Sequence, residues 1–263
     1  MRTFVDHLQR EIVLTNYPPK RIVSLVPSQT ELLSDLGLDT EVIGITKFCV
    51  HPKEWKKQKV IVGGTKQVHY DKVKQLNPDL IIANKEENTQ EIVQNCSEIA
   101  PVYVTEVENI HEAFRAIQDI GDLVNKKTQA EQLCAKIQQD FEQHKEIFSG
   151  SILYFIWREP YMAAGTGTFI NALLSHFGWN NLACSLESRY PTLTELQIQE
   201  LNPEYIFLPS EPYPFKEKHV QELQLIVPNT KILLVDGEMF SWYGSHMQYT
   251  CAYVTNLFSQ LSN

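Results

Sequence analysis

Aromatic side chains stand in several polar loops that follow apolar segments of this 263-residue sequence. Aromatic rings at loop positions, rather than inside strands, are typical of a cleft that grips a flat, partly apolar molecule. The alternative for any single ring is that it packs over the end of its strand, so the prediction concerns the group. Polar side chains in the same loops could orient a ligand. The candidate ligand-binding residues are Phe48, His51, Lys85, Glu86, Trp157, Arg158, Tyr190, Glu211, Tyr213, Trp242 and Tyr243.

A metal site is a second interpretation of one of these loops. Cys49 and His51 stand two positions apart and could ligate a soft or borderline metal. An isolated histidine is more often satisfied by structural contacts, so both interpretations stay open. The five cysteines are widely scattered, with no Cys-x-x-Cys spacing. They indicate no disulfide framework and fit a reducing compartment better than an oxidising one.

Catalytic motifs are missing from the sequence. It contains no Gly-x-Ser-x-Gly elbow, no His-Glu-x-x-His pair and no protein-kinase set. Glu86 and Glu87 are adjacent in a loop, which does not indicate a positioned acid–base pair. We therefore predict binding without catalysis and no intrinsic cofactor.

One long helix is predicted over Thr128–Phe148. Thr128 and Glu131 have the spacing of a capping box, as do Ser28 and Glu31 near the start of the chain. Apolar residues recur at three- and four-residue steps, and Gly150 supplies a stop. Such a helix would be roughly 30 Å long, enough to cross a small domain.

A duplicated pattern flanks this helix, with matching segments at offsets of 130, 125 and 130 residues (22 to 152, 78 to 203 and 102 to 232). The repeat predicts two similar α/β lobes joined by the helix. The predicted boundaries are 1–125 for the N-terminal lobe, 126–149 for the bridging helix and 150–263 for the C-terminal lobe. A last helix is predicted to end near Leu261. The matching pairs are Ile22–Pro27 with Ile152–Ile156, Gln75–Ile82 with Glu200–Phe207, and Val102–Thr105 with Ile232–Val235.

Bulk properties exclude several classes of protein. A net charge of −9 argues against nucleic acid as a partner. No run approaches the roughly 18 apolar residues of a membrane span. The first twenty residues lack the apolar core of a signal peptide. Two alternatives follow, a cytoplasmic protein and a protein whose leader has been removed.

Several of these segments resemble a known family. Pro18–Glu31, with the sequence PPKRIVSLVPSQTE, is followed by Val42-Ile-Gly44 and by the repeated Leu-Asn-Pro motifs of Leu76–Ile82 and Leu201–Ile206. Together they resemble the cobalamin, iron-siderophore and haem binding proteins of ABC importers. The resemblance runs from about residue 4 to 261. The loops that resemble the cobalamin-binding-like, helical-backbone metal receptor branch are Thr46–Pro52, Asn84–Asn88, Glu211–Phe215 and Ser241–Gly244.

The resemblance implies a class III periplasmic-binding-protein-like fold, with the ligand held between two lobes and the bridging helix limiting their relative motion. It implies a metal-bearing macrocycle or chelate as ligand, with cobalamin or another corrinoid ahead of haem or an iron-siderophore. It also implies a periplasmic monomer that delivers this ligand to an ABC permease. Two alternatives stay open: a cytoplasmic carrier or sensor on the same fold, and an enzyme with a repurposed cleft.

Two sets of residues take roles from the resemblance. Acidic residues at Asp71 and Glu195 match positions that dock onto arginines of the permease in the family. Aromatic ligand contacts of the family fall on or near His51, Trp157, Tyr190 and Trp242, and His51 stands where a cobalamin-binding relative has tyrosine.

Overall fold

The computed structural model describes residues 1–259, which form two compact units. The first unit comprises Met1–Val107, His111–Ile137 and the short segment Tyr243–His246. The second comprises Glu108–Ile110, Gln138–Trp242 and the chain from Met247 onward. The predicted end of the last helix, near Leu261, lies outside the described residues.

The first unit is built on a parallel sheet. Its strands are β1 (Arg2–Val5), β2 (Glu11–Leu14), β3 (Ile22–Ser24), β4 (Val42–Ile45), β5 (Val60–Ile61), β6 (Leu80–Asn84) and β7 (Val102–Thr105). The helices of this part of the chain are α1 (Pro27–Asp35), α2 (Trp55–Gln58), α3 (Tyr70–Gln75), α4 (Gln90–Ser97) and α5 (Ile110–Leu123). The antiparallel pair β1–β2 precedes five parallel strands in the order β5-β4-β3-β6-β7. All residues of β3, β6 and β7 are buried, as expected for parallel strands covered on both faces.

The second unit has a mixed sheet. Its strands are β8 (Ser151–Trp157), β9 (Tyr161–Ala163), β10 (Asn180–Asn181), β11 (Thr192–Leu193), β12 (Tyr205–Pro209) and β13 (Lys231–Val235). Helix α6 (Lys127–Gln143) leads into it, and α7 (Phe169–His176), a 3₁₀ turn (Leu182–Leu186), α8 (Glu195–Leu201), α9 (Glu217–Ile226), α10 (Glu238–Ser241) and α11 (Met247–Ser259) follow. Strands β10, β8, β12 and β13 pair in parallel, whereas β9 pairs antiparallel with β8 and β11.

The predicted repeat is present in the strand order. The neighbours β3-β6-β7 of the first unit correspond to β8-β12-β13 of the second, and both triplets are parallel. The turn before β6 and the turn before β12 also match, because Asn77 and Asn202 both have a φ of 44° and precede proline. The fold is therefore the expected class III architecture, two similar α/β lobes joined by a long helix.

Helix α6 is a single helix, as predicted, but its ends differ. It begins at Lys127, so Thr128 lies inside the first turn instead of capping it. It ends at Gln143, five residues before the predicted end, because the amides of Glu146 and Phe148 donate to the carbonyls of His176 and Phe177. Its apolar stripe is confirmed, since the side chains of Ala130, Cys134, Ile137 and Phe141 are buried. Within the described part of the chain, no helix combines the length and the apolar character needed to cross a membrane.

Candidate ligand-binding site

The carboxyl ends of the parallel strands in the first unit carry four of the predicted residues. Phe48 and His51 follow β4, and Lys85 and Glu86 follow β6. The Phe48 ring is 50% exposed, with the Lys47 ammonium 4.9 Å from its centroid. The Lys85 ammonium forms an ion pair with Glu106, which follows β7. These strand ends therefore bring an exposed ring, an imidazole and a charge-compensated cation to one edge of the sheet.

The loop after β6 is held in place by buried amide side chains. Asn84 Nδ2 donates to Thr105 O at 3.0 Å, while Asn84 Oδ1 accepts from the amides of Glu86 at 2.9 Å and Glu87 at 3.1 Å. Asn88 Nδ2 donates to Thr65 O at 2.9 Å. Because the buried polar groups of these two asparagines are bonded within the unit, Lys85 and Glu86 project from a fixed turn.

Next to this edge lies a cluster of four ionisable residues, the Glu31 cluster: Glu31, Asp35, His51 and His246. His246 Nδ1 lies 2.8 Å from Glu31 Oε2, and both side chains are at most 10% exposed. The His51 and His246 rings are 5.8 Å apart between centroids, with 32° between their planes. Burial raises the pKa of Asp35, the Glu31 carboxylate adds to the shift, and a hydrogen bond from Ser245 opposes it. Glu31 and His246 are buried, His51 is half-buried and Asp35 is exposed, so the cluster offers imidazole and carboxylate groups where the core meets solvent.

Tyr243 lies in the first unit with His246, although the chain order placed it in the C-terminal lobe. Its side chain is buried, at 8% exposure. Burial raises the pKa of the Tyr243 hydroxyl, and the nearby Glu87 carboxylate adds to the shift. Burial likewise raises the pKa of Glu87, while Lys66 opposes it. Burial thus disfavours the charged forms of both Tyr243 and Glu87.

Cys49, which the sequence pairs with His51 as a possible metal ligand, lies in the core. Its side chain is fully buried, and Sγ lies 3.0 Å from Thr30 Oγ1 and 3.3 Å from Thr46 Oγ1. Burial raises the pKa of the Cys49 thiol, and its hydrogen bonds with Thr30 and Thr46 oppose the shift. Cys49 therefore packs against two hydroxyl groups in the core, and metal ligation by Cys49 and His51 stays a prediction.

In the second unit, Trp157 and Tyr213 come together at the ends of β8 and β12. Their ring centroids are 5.4 Å apart in an edge-to-face arrangement, and Trp157 is 44% exposed. Tyr213 also packs edge-to-face on Phe215 at 4.7 Å. The neighbouring Arg158 forms an ion pair with Glu222, with Nη2 and Oε2 2.7 Å apart. This arrangement presents an open aromatic surface beside a neutralised guanidinium.

Glu211 and Trp242 are predicted ligand-binding residues, and in the structure their side chains bond to each other. Trp242 Nε1 donates to Glu211 Oε1 at 2.7 Å, and Ser241 Oγ donates to the same oxygen at 3.2 Å. The Trp242 ring is only 7% exposed. A Cβ at Gly237 would lie 2.9 Å from the Glu211 carbonyl oxygen, so only glycine permits this approach of the two loops. Trp242 is consequently a packed residue whose indole fixes Glu211.

The remaining predicted residues lie elsewhere. Tyr190 is half-buried, with the Arg189 guanidinium 5.7 Å from its ring centroid. Arg189 in turn forms an ion pair with Glu108. Asp71 and Glu195 are both exposed and lie in the first turns of α3 and α8, the two helices that precede the matching asparagine turns.

The sequence interpretation missed Glu31, Asp35 and His246. Glu31 was taken for a capping residue, but α1 begins at Pro27 with Val26 as its N-cap and no side-chain cap bond. The signal that could have identified the site is the histidine two residues after the loop Ser241–Gly244. Its carboxylate partner is 215 positions away, and no local pattern joins the two.

The family model described as periplasmic binding protein matches residues 22–224 of this chain. The chain belongs to the periplasmic binding protein family. Periplasmic binding proteins of this kind include an uncharacterised ABC transporter substrate-binding lipoprotein of Bacillus subtilis, YvrC, which is 28% identical over 214 residues, covering 77% of this chain and 67% of its own. A vitamin B12-binding protein of Pectobacterium carotovorum is 23% identical over 253 residues, or 91% of this chain and 90% of its own.

The solved structures agree on the periplasmic binding protein fold. The petrobactin-binding protein YclQ of Bacillus subtilis is similar with a TM-score of 0.78 and 21% identity, covering 97% of each chain. At this identity the likeness establishes the fold. The relatives carry out substrate binding for transport, in line with the prediction of a binding protein.

Proposed function

We propose that this protein binds a corrinoid, cobalamin or a close relative of it, and delivers it to an ABC importer. The observation that carries the proposal is an exposed aromatic ring at a strand end in each unit: Phe48 after β4 and Trp157 at the end of β8. Exposed rings at strand ends suit a large, flat, partly apolar ligand. Similarity to a vitamin B12-binding protein over 253 residues supports the corrinoid class.

Charge pairing favours a corrinoid over an anionic chelate. Two of the cations near the strand ends are charge-compensated, since Lys85 pairs with Glu106 and Arg158 with Glu222, whereas Lys47 lies against the Phe48 ring. Haem propionates and catecholate ferric siderophores carry negative charge, which uncompensated cationic donors stabilise. The periphery of a corrin ring is made mostly of neutral amides, which bind to paired polar groups without a net charge being buried.

The direct test is calorimetric or absorbance titration of the purified protein with cyanocobalamin, cobinamide, haemin and a ferric siderophore. We expect saturable one-to-one binding of a corrinoid and weaker binding of the two anionic ligands. Tight haemin or siderophore binding without corrinoid binding would overturn the ligand class. Turnover of a bound corrinoid would instead favour an enzyme, and binding without transport would favour a carrier or sensor.

Delivery to a permease is the second part of the proposal, and it places the working protein outside the cytoplasmic membrane. Asp71 and Glu195 supply an exposed carboxylate at the start of α3 and α8, one in each half of the repeat. Exchanging both for arginine should abolish corrinoid uptake by cells that depend on this protein and leave corrinoid binding in solution unchanged. Exposed Glu142, on α6, exchanged for arginine is the matched control. Uptake that survives the double exchange would refute this docking assignment.

A further inference from the structure

A second cluster of metal-ligating side chains lies in the second unit, apart from the residues discussed so far. Asp140 and His144 are one helical turn apart at the end of α6, and Cys251 is on α11. A carboxylate oxygen of Asp140, a ring nitrogen of His144 and Cys251 Sγ all lie within 4.8 Å of one another. Among the described residues 1–259, this is the one group of three such side chains brought so close.

We infer that Asp140, His144 and Cys251 form a binding site for a borderline divalent cation, with Zn²⁺ as the best match. The donor set of one oxygen, one nitrogen and one sulfur is the mixture that zinc accepts in four-coordinate sites, with water as the fourth ligand. A carboxylate and a thiolate together balance the charge of the ion. Spacings below 4.8 Å require only small side-chain movements to reach ordinary metal–ligand distances.

The surroundings of the cluster suit ligation. His144 Nδ1 lies 2.8 Å from the carbonyl oxygen of Asp140 and 3.3 Å from its carboxylate oxygen Oδ1, so the imidazole is already held against the Asp140 side chain. Asp140 and His144 are half-buried and Cys251 is buried, so the site is reachable from solvent on one side only.

Binding replaces a proton on sulfur. The Cys251 thiol is hydrogen-bonded to Asp140 in the metal-free protein, and burial together with that carboxylate raises its pKa. On binding, the S–H bond breaks, the proton leaves to solvent and the thiolate ligates the ion. The ion then ties the end of α6 to α11, which makes the site a structural clamp and sets it apart from the corrinoid cargo.

The experiment uses Co²⁺ as a spectroscopic probe and Zn²⁺ as its competitor. We expect the whole protein to develop a thiolate-to-cobalt charge-transfer band that one equivalent of Zn²⁺ removes, and a melting temperature that rises with zinc concentration. His144→Gln should weaken metal binding by at least about tenfold, the loss typical of even an outer-shell change. Cys251→Ser should abolish the band.

Two matched controls separate ligation from folding. His69→Gln changes an exposed histidine, and Cys134→Ser changes another buried cysteine; both should keep the cobalt band. Because Cys251 is buried and its variant could misfold, His144→Gln with an unchanged circular dichroism spectrum decides the matter. No band in the native protein, or a band that persists unweakened in His144→Gln, would overturn the inference. Either result leaves corrinoid titrations unaffected, so the two proposals fail separately.

Discussion

At the scale of single residues, burial separates two tryptophans that the sequence treats alike. Trp157 is 44% exposed, whereas Trp242 is 7% exposed and donates its indole N–H to Glu211. Trp157→Ala should therefore weaken corrinoid binding by about 1–3 kcal/mol, roughly ten- to hundredfold, and change stability by no more than about 0.5 kcal/mol. Trp242→Ala should destabilise the fold by about 3–5 kcal/mol. Titration calorimetry and denaturant unfolding measure the two effects.

The control for this comparison is Leu225→Ala, which truncates an 87% exposed apolar side chain on α9. It should alter neither affinity nor stability, so any loss in Trp157→Ala reflects the ligand. If Trp157→Ala lost several kcal/mol of stability with unchanged affinity, that ring would be core packing and the aromatic basis of the proposed site would fail.

Glu87 gives the stability of the protein a pH dependence of known sign. Burial raises its pKa above the ordinary value of 4.5, and Glu86 adds to the shift while Lys66 opposes it. The folded chain therefore holds this proton more tightly than the unfolded chain, and stability falls as pH rises from 4.5 through the folded pKa. Glu87→Gln should be more stable than the native protein at pH 7 and lose that advantage well below pH 4.5. Urea unfolding across this range tests it, and a variant less stable at pH 7 would contradict it.

At the scale of helices and strands, close packing between α5 and α6 depends on one glycine. A Cβ at Gly121 would lie 2.3 Å from the Ala130 Cβ. A glycine-to-alanine change inside a helix ordinarily gains about 1 kcal/mol, but the clash should reverse the sign and cost about 1–3 kcal/mol. Adding Ala130→Gly should recover part of the loss, because it removes the opposing carbon. A thermal-unfolding cycle of the two single variants and the double variant measures the coupling, and a more stable Gly121→Ala would disprove the contact.

The sequence was most informative about the strands and the turns between them. The repeat predicted two similar lobes because each copy carries its own apolar strand and its own Leu-Asn-Pro turn, and both asparagines adopt a φ of 44°. Helix ends were less predictable. The Ser28–Glu31 and Thr128–Glu131 spacings resemble capping boxes, yet α1 is started by Pro27 and α6 by Lys127. A cap depends on which residue leaves the helical backbone, and spacing alone does not determine that.

The sequence could not predict contacts between side chains that are far apart in the chain, and these contacts shape the sites. The sequence spacing made His144 part of the apolar stripe of the long helix. Cys251, with which we propose that it binds a metal, lies far along the chain on α11, so no local pattern joined the two. Cys49 was interpreted as a ligand because it neighbours His51, whereas the hydroxyl groups around it come from α1 and from the end of β4. Local sequence gives the residue type, and the tertiary fold decides whether the side chain meets solvent, a ligand or the core.

At the scale of the whole molecule, neither compact unit is one continuous stretch of the chain. Tyr243–His246 belongs to the first unit, although the segments before and after it belong to the second. The bond between His246 and Glu31 consequently joins residues 215 positions apart. A fragment that stops after α6 lacks this segment, so the first unit is complete only in the full chain.

The Glu31–His246 pair therefore gives a test in the intact protein. His246→Ala leaves the Glu31 carboxylate buried at 10% side-chain exposure without its imidazole partner. Removing one member of a buried pair typically costs about 3–5 kcal/mol, because the charge that remains is not compensated. Glu31→Gln combined with His246→Ala removes that charge and should be more stable than His246→Ala alone. Denaturant unfolding of both variants decides the point. If the double variant were the less stable, the cost would come from lost packing, and the pair would contribute no electrostatic stabilisation.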